Sequence, residues 1–259
     1  MPKINCRLIL FIAFVLILIA CSCFAAVWYF IIYPSSIVRG NGNITSEKRN
    51  LSKFSKINVT DKIKVNITQT NTDSVLTISA EDNLIKQINT EVRGDTLFIS
   101  FGKQTILNLT AIEPSKDVVV NLTYQDLVEI NISGSVTFKT ENRARLDKLI
   151  LLQSKSSTVD ADIFANSLIV DMAGDGTVQL KGSASKQEVK VSGFGKYLAK
   201  DLDTKETKLD LSGSGKAEVR ADESLEVNVS GSGSVEYSGN PKKYTQNISS
   251  NGTVKQITE

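Results

Sequence analysis

The sequence predicts an all-β fold, a solenoid of stacked coils of about nineteen residues each, preceded by one N-terminal transmembrane helix. Three observations predict it. A small-residue signature, Ser-Gly-x-Gly or a worn version of it, recurs through the second half of the chain. With Gly134, Ser154, Gly174, Gly193, Gly213, Gly231 and Ser250 as markers, its steps are 20, 20, 19, 20, 18 and 19 residues. Around each marker apolar residues stand two apart, which is the period of a strand with one dry face. The chain also opens with a long apolar run, and no window of the repeat region has the spacing of an amphipathic helix.

Residues 1–7 carry Lys3 and Arg7 and no acid, which favours keeping them in the cytoplasm. Leu8 to Tyr33 is an uncharged run of 26 residues, long enough to cross a bilayer as a helix, with Trp28, Tyr29 and Tyr33 at its outer end. The expectation is an uncleaved signal anchor over 8–33, a single pass with the rest of the chain outside the cytosol, in a periplasm or at the cell exterior. Two alternatives stay open. Leu18-Ile19-Ala20-Cys21 resembles a lipobox, so cleavage there would leave Cys21 lipidated and make the protein a lipoprotein. Ordinary cleavage near Ala25 or Ala26 is the other. Cys6, Cys21 and Cys23 are the only cysteines, so the exported part has no thiol and no disulfide.

Residues 34–53 read as a polar linker with Gly40 and Gly42. From Phe54 strand patterns begin, at Ile57–Val59, Ile63–Ile67, Val75–Ile78 and Leu97–Ile99, while Asp82–Ile88 reads as a helical turn or an extended edge. Each clear repeat then has an apolar pair before the marker (Ile130 and Ile132, Ile150 and Leu152, Val170 and Met172, Val189 and Val191, Leu209 and Leu211, Val227 and Val229) and a second pair after it in most coils. No linker-like break interrupts 54–259, which reads as one domain. The glycines Gly134, Gly174, Gly176, Gly193, Gly195, Gly213, Gly215, Gly231, Gly233 and Gly252 are expected to form the corners, where φ > 0 and a missing Cβ let coils stack. A phosphate loop fails as a rival, because Asp210 and Ala217 stand where it needs Gly and Ser or Thr.

An ordered set of pieces in residues 38–258 resembles a bacterial family described as putative auto-transporter adhesin, head GIN domain. The pieces are Phe54-Ser55-Lys56-Ile57-Asn58-Val59, the strand Ile63–Gln69, Ala80-Glu81-Asp82-Asn83-Leu84, Val92-Arg93-Gly94-Asp95-Thr96-Leu97, the Ser-Gly-Ser-Gly coils and Gly239-Asn240-Pro241-Lys242. The resemblance implies a right-handed parallel β-helix in the cell envelope, on an exported or lipid-anchored chain, and brings no catalytic residues with it. The long N-terminal span departs from a clean lipoprotein signal.

The chain has no histidine, which removes His-based triads and His metal sites. Beyond residue 33 the basic and acidic side chains balance at 28 each, unlike the footprint of a nucleic-acid binder. An enzymatic alternative rests on carboxylate pairs that could act on polysaccharide: Asp160 with Asp162, Asp171 with Asp175, or Asp201 with Asp203. No aromatic sugar platform accompanies them. Gly174-Asp175-Gly176 resembles one fragment of a calcium-binding repeat, but neighbouring coils carry Phe194 and Ser214 at the Asp175 position. Ten Asn-x-Ser/Thr sequons read as a by-product of Asn-, Ser- and Thr-rich strands. No catalytic, cofactor or metal residue is expected. The reading is a non-catalytic, adhesin-like module whose lateral ladders meet a protein or glycan, with a scaffolding role as the alternative and self-association through an uncapped end as a further expectation.

Overall fold

The computed structural model describes residues 36–102 and 110–258. These form an all-β solenoid of about seven turns, with a single 3-10 turn at Ile85–Gln87. The expected anchor at 8–33 and Cys21 lie outside the described residues, among which no helix is long and apolar enough to cross a membrane.

The central coils stack in parallel, residue on residue. Thr158–Gly174 pairs with Thr177–Gly193 over its whole length, nineteen residues apart, so Val159 sits on Val178 and Gly174 on Gly193. In the next coil, Lys196–Gly213, the register shifts between Gln179 and Lys181, and from there the offset is twenty. The coil after that shortens between Arg220 and Ser224. The irregular repeat lengths are therefore absorbed on the side away from the glycine corner. At the corner itself the step is constant: Gly174 leads to Thr177, Gly193 to Lys196, Gly213 to Lys216 and Gly231 to Ser234. Alternate residues point inward and form apolar columns such as Ile57, Ile130, Leu151, Val170, Val189, Leu209 and Val227, all buried. At roughly 25 cal/mol per Å² of apolar area removed from water, such columns are the main stabilising term of the fold.

One coil reads differently from its sequence pattern. Leu151 and Gln153, not Ile150 and Leu152, occupy the inward positions, because Leu151 stacks on Ile130 and Gln153 on Ile132. Leu149-Ile150-Leu151-Leu152 is apolar at every position, so alternation cannot choose the face, and a slip of one residue reverses every side chain. The corner position of this coil is accordingly Lys155, which stacks between Gly134 and Gly174, rather than Ser154.

The first coil is not at the end of the stack. Lys56–Asp61 pairs with Glu129–Gly134 on one side and Thr96–Phe101 on the other. Lys64–Gln69 lies likewise between Thr137–Thr140 and Val119–Tyr124. The chain thus builds one coil, adds strands Val75–Glu81, Thr96–Phe101 and Val119–Tyr124 to its outer side, and returns to extend the stack the other way. The outer side is closed by antiparallel strands: Ile44–Asn50 on Val75–Glu81, Val75–Glu81 on Val119–Tyr124, and Ile88–Arg93 on Thr96–Phe101.

The polar segment 34–53 is a correction to the linker expectation. It contributes strand Ser36–Arg39, parallel to Thr110–Glu113, and the edge strand Ile44–Asn50. Polar contacts dock it where apolar pattern is lacking. Arg49 Nη1 donates to the Ile88 carbonyl at 2.7 Å and Nη2 to that of Ile85 at 3.2 Å. Glu81, 1% exposed, accepts from the Gly42 amide at 2.6 Å, the Ser115 amide at 2.9 Å and the Ser115 hydroxyl at 2.5 Å.

Candidate functional site

The corner ladder is the most regular feature of the surface. Asp61, Gly134, Lys155, Gly174, Gly193, Gly213, Gly231 and Ser250 all have positive φ. The glycines lie between 99° and 125°, beyond the left-handed helical region, and a Cβ on Gly213 would come 2.5 Å from the Gly193 carbonyl oxygen. Lys155, at 60°, and Asp61, at 72°, use that left-handed region instead. The second glycine of each signature has a different job. Gly176, Gly195, Gly215, Gly233 and Gly252 have no positive φ, but a Cβ there would meet a side chain or carbonyl of the coil below, as with Leu211 Cδ2 at 2.6 Å from Gly233. The corner atoms are thus consumed in stacking. Nothing in this row opens toward a ligand.

The sheet face that leads into the corner offers more. Its outward side chains form three columns at strand spacing, roughly 4.8 Å apart along the stack. Beside the corner stand Thr60, Ser133, Ser154, Ala173, Ser192, Ser212, Ser230 and Ser249. The next column is Asn58, Asn131, Leu152, Asp171, Lys190, Asp210, Asn228 and Asn247, and the third is Lys56, Glu129, Ile150, Ile169, Glu188, Lys208, Glu226 and Thr245. The polar members tie successive coils together. Asn247 Nδ2 donates to Asn228 Oδ1 at 2.8 Å, Asn228 Nδ2 to Asp210 Oδ1 at 2.7 Å, and Lys208 Nζ lies 3.4 Å from Glu226 Oε1. Ser192 Oγ donates to the Met172 carbonyl of the preceding coil at 3.0 Å. An open groove of about 600 Å³ runs over the last of these coils, lined by Asp210, Ser212, Asn228, Ser230 and Asn247 among others.

Into this polar face two adjacent coils insert aliphatic side chains. Ile150 and Leu152 point outward from one coil, Ile169 stacks on Ile150 from the next, and all three stay partly exposed. They form a small apolar patch bordered by Glu129, Asn131, Asp171 and Glu188. At the neighbouring corner Phe194 is 71% exposed. Sequence reasoning missed the patch because it assigned Ile150 and Leu152 to the core.

The acidic pairs differ in how the structure places and partners them. Asp162 accepts from Arg143 Nε at 2.7 Å, Asp175 from Ser156 Oγ at 2.8 Å, and Asp203 lies 3.3 Å from Arg220 Nε. Asp160, Asp171 and Asp201 are exposed. Asp160 and Asp162 do share an outward face, and Asp201 and Asp203 line an open groove of about 520 Å³ with Arg220, but each pair has one carboxylate already matched by a guanidinium. Asp171 stands before the corner and Asp175 on it, so they do not form a facing pair. Among the described residues no three His, Cys, Asp or Glu side chains gather as metal ligands. The carboxylates whose acidity is visibly altered lie elsewhere. The Ser115 hydroxyl and three backbone amides hold Glu81 below the usual carboxylate range, and Lys64 does so for Asp117.

The sequence matches a family model described as putative auto-transporter adhesin, head GIN domain, over residues 53–241. No curated protein matches the chain. Among solved structures, a putative adhesin from Bacteroides fragilis NCTC 9343 is 25% identical, with a TM-score of 0.79 over 85% of this chain and 100% of its own. A putative lipid binding protein from Parabacteroides distasonis ATCC 8503 gives 21% identity and 0.71 over 86% and 100%. A putative adhesin from the same organism gives 24% identity and 0.67 over 85% and 100%.

Proposed function

Because the chain belongs to the putative auto-transporter adhesin, head GIN domain family, we propose that it is a non-catalytic interaction module of the bacterial envelope, held at the membrane by residues 8–33. Its coils wind with the right-handed sense expected of parallel crossovers. The ligand-binding surface is the face leading into the corner, and the partner is an envelope glycan or protein. One observation carries this reading: Ile150, Leu152 and Ile169 form an outward apolar patch inside columns of Ser, Asn and Asp. An apolar centre with a polar rim is the anatomy of a recognition surface.

Binding and catalysis predict different outcomes for the full-length protein mixed with envelope polysaccharides and surface proteins. Saturable binding without product is expected. Polysaccharide turnover that disappears on Asp160→Asn or Asp201→Asn would overturn the non-catalytic assignment. Intact-mass measurement of the mature N-terminus tests the anchor, which requires the uncleaved sequence rather than a lipidated Cys21.

A further inference from the structure

The two ends of the solenoid are built differently. At the outer end of the first coil the exposed edge strand Ile44–Asn50 carries Glu47, Lys48 and Arg49, a charged edge of the kind that discourages strand addition. At the other end Lys243–Ser249 pairs only with Ser224–Gly231, and among the described residues nothing covers its free side. Its inward positions are Tyr244, Gln246 and Ile248, which continue the columns above Leu225, Val227 and Val229. Tyr244 is 40% and Ile248 41% exposed, so the apolar interior is open here.

The backbone of this strand is self-complementary. Lys243 donates its amide to the Glu223 carbonyl of the preceding coil. In a parallel ladder the amide and carbonyl of one residue face the same neighbour and alternate along the strand. Residues 243, 245, 247 and 249 therefore serve the preceding coil, and the amides and carbonyls of Tyr244, Gln246 and Ile248 point to the open edge. A second copy related by a two-fold axis through Gln246 would run antiparallel and place Tyr244 opposite Ile248 and Gln246 opposite itself. These residues, with their free groups, are the ones that exchange paired hydrogen bonds in such a ladder. Lys243 would face Ser249, so no like charges oppose each other. Because the axis is normal to the sheet, Tyr244 and Ile248 of both copies stay on the inner face and the two apolar interiors become continuous.

We propose that the protein forms a symmetric dimer by antiparallel pairing of Lys243–Ser249 with the same strand of a second copy, end to end. The opposite, charged end stops the association at two copies rather than a filament. The pairing uses only the last coil and leaves the Ile150, Leu152 and Ile169 patch free on each protomer, so it does not depend on that patch having a ligand.

The test uses the full-length chain with Cys6, Cys21 and Cys23 replaced by Ser, to which Gln246→Cys is added. Under mild oxidation the variant should form a covalent dimer on the order of tenfold faster than a control with Lys186→Cys, an exposed lateral position. Adding Ile248→Asp to the Gln246→Cys chain should remove most of that advantage. Sedimentation of the unmodified chain should show a dimer that dissociates on dilution. Cross-linking no faster than the control, a monomer at every concentration, or cross-linking to a different protein in place of self would overturn the proposal.

Discussion

The corner shows how one backbone angle decides what a residue is for. At φ near 60°, as at Lys155, an L side chain is tolerated at a cost of about 1–2 kcal/mol. At 109°, as at Gly213, only glycine fits, and the Gly193 carbonyl stands where a Cβ would go. Gly213→Ala should therefore cost about 2–4 kcal/mol through backbone strain and overpacking combined. Lys155→Gly should stay within about 1 kcal/mol of the parent, since relief of strain is offset by a more flexible unfolded chain. Chemical denaturation of both variants checks the contrast; equal losses would contradict it. The Ser-Gly spacing made these corners readable in the sequence. Ile150 and Leu152 were misassigned because four consecutive apolar residues contain no phase, and only the corner at Lys155 sets it.

At the scale of the elements, polar side chains fix what apolar alternation leaves undecided. Within the core, Tyr197 Oη donates to Gln187 Oε1 at 2.8 Å, and Gln187 Nε2 reaches Thr207 Oγ1 at 2.9 Å and Thr204 Oγ1 at 3.3 Å. Thr204 Oγ1 in turn donates to the Arg220 carbonyl at the bend where the coil length changes. Tyr197→Phe strips Gln187 of its donor and should cost about 1–3 kcal/mol, measurable by denaturation. Burial also pushes the Tyr197 hydroxyl well above its ordinary ionisation range. Its contribution is therefore complete below about pH 10, where tyrosine ionises in the unfolded chain, and is lost as pH rises further. The Glu81 clasp has the opposite sign. Its carboxyl is held below the ordinary value, so docking of Ile44–Asn50 is fully supported above about pH 4–5 and weakens as pH falls. Residues 42–50 should lose hydrogen-exchange protection, relative to the intrinsic rate at each pH, under acid before the central coils do, and Glu81→Gln should blunt this pH dependence. Uniform loss of protection along the chain would count against the clasp. The sequence reads as a linker here because its docking uses Arg49 and Glu81, not an apolar stripe.

For the whole molecule, repeat spacing was enough to identify stacked coils, since a constant three-residue corner step fixes where each coil meets the next. The order of stacking was not legible. Nothing in Lys56–Asp61 marks it as an inner strand flanked by residues 40 and 73 positions away, because that arrangement follows from the chain returning past its own first coil. The acidic pairs looked equivalent on paper and differ only once Arg143 and Arg220 are placed beside two of them. The candidate site emerged from the same geometry, as a patch visible only when the register of one coil was known. The most direct measurement is a comparison of the full-length protein with an Ile150→Glu, Ile169→Lys variant in binding to envelope glycans and surface proteins. Both changes point outward, so the thermal midpoint should be preserved while saturable binding weakens by on the order of tenfold or more. Unchanged binding by a folded variant would contradict the assignment of this face.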